Sequence, residues 1–185
     1  MSGARLFVAL ELPDGVRADL ARWGAACAAG DPALRAVRPE GLHLTLHFLG
    51  TRPEAEIPAL ATALRAVAGD GPAVAGRFAG ALWLAPRRPH VLTCAIEDVS
   101  GAMAGLHTAL GPALSAATDG WTPERRALRP HVTVARVRRG ARPRPGSEPA
   151  PPPGAFACPA VTLLRSSLSP SGARYDALER LPLPA

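Results

Sequence analysis

The chain has 185 residues, 48% of them apolar, which bounds it to one domain, or two small lobes sharing an interface, with enough apolar side chain for a real core. Its formal net charge of +6 comes from 21 basic residues, all of them arginine; with so much Ala, Gly and Pro this reads first as GC-rich coding bias, yet the charge still attracts anions such as nucleic acid, and arginine forks onto phosphate. Cys27, Cys94 and Cys158 form no CxxC pair, so neither a structural zinc nor a disulfide framework is indicated and a cytoplasmic location is expected; the run Leu6–Leu10 is too short for a signal peptide, and nothing approaches a membrane span.

Arg5 to Leu12 alternates as a strand, with Leu6, Val8, Leu10 and Leu12 on one face and Arg5, Phe7, Ala9 and Glu11 on the other. Pro13-Asp14 then opens a helix with an aspartate cap, and Val16, Leu20, Trp23 and Cys27 fall on one stripe until Gly30-Asp31-Pro32. Leu34 to Val37 reads as a short strand. Gly41 to Gly50 is a half-buried strand in which Leu42, Leu44, Leu46 and Phe48 alternate with His43, Thr45, His47 and Leu49. A second helix follows Arg52-Pro53-Glu54, with Ile57, Leu60, Leu64 and Val67 on one face, and ends at Gly69-Asp70-Gly71-Pro72.

Val74 to Leu84 is extended, Ala85-Pro86-Arg87-Arg88-Pro89 a turn, and Val91 to Ile96 a strand. Ser100 can cap a third helix lined by Met103, Leu106, Leu110 and Leu114, with His107 as a surface or packing residue. Arg129 to Val137 is another strand. Arg138 to Gly154, rich in Arg and Pro, reads as a mobile surface loop. Two final strands, Val161 to Leu168 and Ala173 to Leu181, join through Ser169-Pro170-Ser171-Gly172. Helices and strands mix without a βαβ rhythm, which favours an α+β fold with antiparallel sheets. Each half has a helix ahead of a His-x-Thr strand. We therefore expect a single bilobal domain over residues 1–185, with two pseudo-symmetric sheets, helices outside and a central cleft.

The His-x-Thr strands carry the chemistry. His43 and Thr45 lie on one face about 6.5–7 Å apart, and His131-Val132-Thr133-Val134 repeats the pattern 88 residues later (131 − 43). Two of the five histidines having Thr two positions on exceeds what chance supplies when nine of 185 residues are Thr. Two facing imidazoles with two hydroxyls suit phosphoryl chemistry: a neutral His takes a proton from water and a protonated one gives a proton to a leaving oxygen. The hydroxyls hold non-bridging oxygens. A zinc site from His43 and His47, four apart, fails on a strand, where they stand about 13 Å apart. Neither a metal nor a cofactor is therefore expected.

These residues carry a resemblance. The two motifs resemble those of the 2H phosphoesterase superfamily. Arg5-Leu6-Phe7-Val8-Ala9-Leu10-Glu11-Leu12-Pro13, Leu42 to Gly50, Arg129 to Arg136 and Leu168 to Tyr175 together resemble its bacterial RNA 2',3'-cyclic phosphodiesterase branch, also called 2'-5' RNA ligase. The resemblance implies a bilobal α+β fold, a metal-free site, RNA ends carrying 2',3'-cyclic phosphate as partner, and a 2'-phosphate product. It suggests His43 as proton donor, His131 as acceptor, and Arg136 as a phosphate-facing group. Strict alternation would point Arg136 away from His131, so a bulge or strand end is required; Arg129 has the right parity but precedes a proline. For Phe48 core packing is expected first and base stacking second, and Phe7 and Tyr175 are similar stacking candidates. A monomer is expected. A non-catalytic RNA-end binding module would not need both histidines. Ligation, or a small cyclic nucleotide as substrate, stays open.

Overall fold

The computed structural model describes residues 3–69, 71–85, 87–169 and 172–184, so that Asp70, Pro86, Pro170 and Ser171 of the turns named above lie outside the described residues. In chain order the elements are β1 (Gly3–Leu10), α1 (Asp14–Gly30), β2 (Leu34–Ala36), a 3-10 turn (Pro39–Gly41), β3 (Leu44–Pro53), a second 3-10 turn (Glu54–Glu56), α2 (Ile57–Ala68), β4 (Ala75–Leu84), β5 (Val91–Asp98), α3 (Ala102–Ala116), β6 (His131–Val137), β7 (Ala155–Ala157), β8 (Ala160–Ser169) and β9 (Gly172–Pro182).

The fold is α+β, as expected. The described strands form one antiparallel sheet in the order β7-β4-β5-β6-β3-β1-β8-β9, with β2 on β6. It is a curled half-barrel, and the two expected sheets are its two halves. They meet at β3 and β6 through the pair Leu44 and Val132, both fully buried.

The halves are related by topology: β1-α1-β3 in one, β5-α3-β6 in the other. Their helices cross over. α1 packs under β6, and α3 under β3. Glycines make the approach close enough: a Cβ on Gly24 of α1 would lie 2.8 Å from the Val134 carbonyl oxygen, and one on Gly111 of α3 would lie 3.1 Å from Pro123 Cβ and 3.7 Å from His47 Cε1. Beneath the sheet Leu6, Val8, Leu10, Leu20, Leu60, Leu64, Leu110 and Leu114 form the core, all buried from water. Burial of each such side chain contributes about 1.5–3 kcal/mol.

Several local expectations change. Asp14 is the first residue of α1 rather than its cap, and it pairs with Arg17. Ser100 Oγ accepts one bond from the Ala102 N–H at 3.3 Å, but the Asp98 carboxylate does more, accepting from Met103 N at 3.3 Å and Ala104 N at 2.9 Å. The Asp98 carboxylate thereby satisfies first-turn donors of α3. β3 runs past Gly50 to Pro53, so α2 begins later than the proline suggested. β7 has no periodicity to reveal it at three residues.

The loop from Arg138 to Gly154 is irregular, as expected, but it is tied down rather than mobile. Trp23 Nε1 donates to the Pro149 carbonyl at 2.9 Å, Trp83 Nε1 to Glu148 at 2.5 Å, and the Arg144 N–H to the buried Asp31 carboxylate at 2.7 Å. These anchors lie on α1, after it, and on the helix side of β4. The loop therefore has no share in the cleft face.

Candidate active site

The site is built on the Leu44–Val132 pair. One residue to either side stand His43 and Thr45, then His131 and Thr133. Because the strands run antiparallel, Thr45 lies toward His131 and His43 toward Thr133. Leu44 and Val132 face the core, so all four polar side chains face the cleft, half-buried. β3 as formed starts one residue after His43, which follows the 3-10 turn at Pro39–Gly41. Gly41, where the alternation in the sequence starts, belongs to that turn and not to the strand.

Each motif strand carries a bulge three residues after its histidine. On β3 the partners of Val8 and Ala9 are His47 and Thr45, which leaves Leu46 extra; a second bulge leaves Leu49 extra. On β6 the partners of Leu92 and Thr93 are Ala135 and Thr133, which leaves Val134 extra. An extra residue reverses the alternation beyond it. His47 therefore turns to the helix side and is 4% exposed, while Phe48 turns to the cleft side and is 64% exposed. Core packing, the first expectation for Phe48, is overturned. On β6 the same device brings Arg136 to the face of His131 and Thr133, exposed and close enough for its charge to act on His43. The parity objection to Arg136 is resolved by this bulge.

His47 and His43 consequently lie on opposite faces. His47 stacks on His107 of α3 at 4.2 Å between ring centroids and 10° between planes, and its Nε2 donates to the His107 carbonyl at 2.8 Å. Burial lowers the pKa of both. His107 is a packing residue, as expected.

His43 sits in an aromatic cage. Its ring is 4.9 Å from Phe7 and 5.0 Å, edge-on, from Tyr175; Phe7 in turn is 5.2 Å from Tyr175 and 5.9 Å from Phe48. Phe7 is buried and Tyr175 half-buried. Burial pushes His43 down to about 4; a hydrogen bond to the Gly41 backbone pulls it up, and the charges of Arg136 and His131 push it further down.

His131 is held differently. Its Nδ1 lies 2.7 Å from the Arg129 carbonyl oxygen. A carbonyl only accepts, so Nδ1 carries the hydrogen and, in the neutral ring, Nε2 presents its lone pair. Both histidines thus bond the backbone two residues earlier, at Gly41 and Arg129. Residue types alone did not announce these two orienting carbonyls, though Gly41-Leu42-His43 and Arg129-Pro130-His131 each place a backbone-bending residue just ahead of the histidine. Arg129 contributes its carbonyl; its side chain is exposed. Among the described residues no corresponding aromatic cage surrounds His131, where the neighbouring cleft-side positions on β5 are Val91, Thr93 and Ala95.

The protein is similar to known ones over almost its whole length. A family model described as the 2'-5' RNA ligase superfamily matches residues 12–169. A Thermus thermophilus protein named RNA 2',3'-cyclic phosphodiesterase is 32% identical over 192 residues, covering 97% of this chain and 90% of that one. A solved structure of a Thermus thermophilus protein superposes with a TM-score of 0.81 at 29% identity, covering 97% of each chain. Escherichia coli LigT complexed with 3'-AMP gives 0.78 at 25% identity over 100% of both chains. On this breadth of similarity, the chain belongs to the 2'-5' RNA ligase superfamily of 2H phosphoesterases.

Proposed function

We propose that the chain hydrolyses the 2',3'-cyclic phosphate at RNA ends to a 2'-phosphate, without a metal, using His43 as acid and His131 as base. The observation that carries the assignment of roles is the asymmetry of the cleft. Phe7 and Tyr175 lie against His43, with the exposed Phe48 beyond Phe7, whereas small side chains on β5 adjoin His131. Aromatic faces stack bases, so the nucleoside lies on the His43 side and its ribose oxygens with it. Water then enters from the His131 side, in line with the oxygen that leaves.

In the step itself, His131 Nε2 takes the proton as the water oxygen bonds to phosphorus. The bond from phosphorus to the 3'-oxygen breaks, and His43 gives that oxygen its proton. Thr45 and Thr133 donate to the non-bridging oxygens, and Arg136 balances their charge. His43 must be protonated in the complex, although burial holds it neutral when the cleft is empty. The bound phosphate supplies what is missing: its negative charge offsets Arg136 and favours imidazolium. Escherichia coli LigT has been solved in complex with 3'-AMP, a nucleoside phosphate, which is the class of ligand this reading requires.

The test is incubation with an RNA ending in 2',3'-cyclic phosphate, in EDTA, with analysis of the product. A 2'-phosphate is expected. No opening overturns the reading, and a 3'-phosphate shows that the other oxygen leaves. The family's description favours one second reading, ligation. There a 5'-hydroxyl replaces water and the same two histidines move the protons; adding an RNA with a free 5'-hydroxyl to the assay distinguishes the two.

A further inference from the structure

Beyond the aromatic cage, the same cleft face continues to Arg5. β1 is unbulged, so Arg5, Phe7 and Ala9 share one face, and Arg5 follows Phe7 by about 6.5–7 Å in the direction away from His43. The residues paired with Arg5 are Thr51 on β3 and Ser166 on β8, and Ser166 is in turn paired with Tyr175. Thr51 is turned to this face: a Cβ on Gly3, which shares the face of Arg5, would lie 2.8 Å from Thr51 Cγ2. Two hydroxyl-bearing residues thus flank Arg5 on the neighbouring strands. Arg5 is exposed and, among the described residues, takes part in no ion pair. Arg180, also on this face, is by contrast paired with Glu11 at 3.0 Å, and Arg136 lies on the far side of His43, toward His131.

We infer that Arg5, with Thr51 and Ser166, is a second phosphate subsite, which holds the phosphodiester immediately 5' of the terminal nucleotide. The inference rests on the reading of the catalytic pair given above and makes the substrate an oligonucleotide end rather than a cyclic mononucleotide. A strand that places its cyclic phosphate between the histidines and its last base on the exposed Phe48 runs onto Arg5 next. A fork of N–H donors on an anionic diester then sets a preference that no base contact needs to supply.

The experiment compares a dinucleotide ending in 2',3'-cyclic phosphate with a nucleoside 2',3'-cyclic phosphate, for the natural protein, Arg5→Ala and Arg5→Lys. The natural protein should favour the dinucleotide. Arg5→Ala should raise its KM about tenfold, the lower end for a lost hydrogen bond to a charged group, while the constants for the mononucleotide change little. Arg5→Lys should recover part of the loss. In parallel, the affinity for a dinucleotide ending in 2'-phosphate is measured against salt. Arg5→Ala should lessen the slope of log K on log salt by about 0.7, the value for one phosphate contact on a single strand. Equal use of both substrates by the natural protein, an equal fall for both in Arg5→Ala, or an unchanged salt slope overturns the subsite. If neither substrate is opened, the hydrolase reading fails instead, and the salt slope still decides whether Arg5 holds a phosphate.

Discussion

Titrating the unliganded protein should expose the caged histidine first. Burial among Phe7 and Tyr175 takes His43 from its ordinary 6.5 down to about 4. Between those values the unfolded chain binds a proton that the folded chain refuses, so unfolding free energy rises with pH across the window. The contribution is whole above about pH 6.5 and disappears progressively as pH falls toward 4. At 1.36 kcal/mol for each pKa unit the shift corresponds to roughly 3 kcal/mol, a large part of the ~5–15 kcal/mol stability of an ordinary domain. His47 and His107, also lowered by burial, act in the same direction. Denaturant unfolding at steps from about pH 7.5 to about 4.5 should show the fall, and His43→Gln should lessen it, leaving the part due to His47 and His107. NMR titration of the His43 ring measures the cause directly. Saturation with a nucleoside 2'-phosphate should move the titration back toward or past its ordinary position, with uptake of a proton on binding. A free His43 that titrates near its ordinary 6.5 would refute the burial argument. One that stays near 4 under bound phosphate could not be the acid.

Other perturbations test the remaining parts. His43→Ala and His131→Ala should each lower turnover by at least ~100-fold with unchanged thermal melting, and activity should survive exhaustive chelation; near-normal turnover in either variant, or activity lost to EDTA and restored by zinc, contradicts the two-histidine scheme. Thr45→Ala, Thr133→Ala and Arg136→Ala should each cost roughly 1.5–3 kcal/mol of transition-state binding, read from kcat/KM, and an unaffected Arg136→Ala would transfer its role to Arg129 or to no arginine. Gly24→Ala should destabilise by roughly 1–3 kcal/mol, because its Cβ meets the Val134 carbonyl oxygen at 2.8 Å, and should weaken phosphate binding by disturbing the bulge that turns Arg136; unchanged melting and KM would mean α1 gives way freely. An analogue whose 3' leaving group needs no proton should partly restore His43→Ala and not His131→Ala, with the opposite result exchanging the roles.

Much of the fold was legible because its elements obey simple periods. Leu6, Val8 and Leu10 alternate into the core, and Leu20, Trp23 and Cys27 recur at helical spacing. His43, Thr45, His131 and Thr133 were legible for the same reason, since two residues of strand put each pair on one face. What escaped was the interruption of period. Leu46 and Val134 are apolar residues in apolar alternation, so nothing in their identity marks them as the extra residue of a bulge. A single added residue then moved Phe48 from the expected core to the cleft and His47 from the cleft side to the core. The loop from Arg138 to Gly154 escaped for another reason. Its anchors lie far away in the chain: Trp83 is 65 residues from Glu148, Asp31 is 113 from Arg144 and Trp23 is 126 from Pro149. Local composition carries no information about such partners.

The two bulges also explain how one structural plan performs two tasks. In each half the residue five places after the histidine is turned onto the catalytic face by an extra residue at the third place. In one half that residue is Phe48 and in the other Arg136, so a shared backbone device presents an aromatic face on one side and a cation on the other. The crossed helices hold both devices at once: α1 bears on Val134 through Gly24, and α3 on His47 through Gly111. A symmetric cleft would leave the two histidines equivalent and a nucleotide free to bind in either sense. Chemical difference at the fifth place removes that equivalence: on the proposed reading a base stacks on Phe48 and a phosphate pairs with Arg136. On that argument, exchanging the two side chains by Phe48→Arg with Arg136→Phe should disturb the choice of acid and base more than either single change does. On the proposed reading the direction of binding is then set by the side chains five places after each histidine, on halves that share one order of elements.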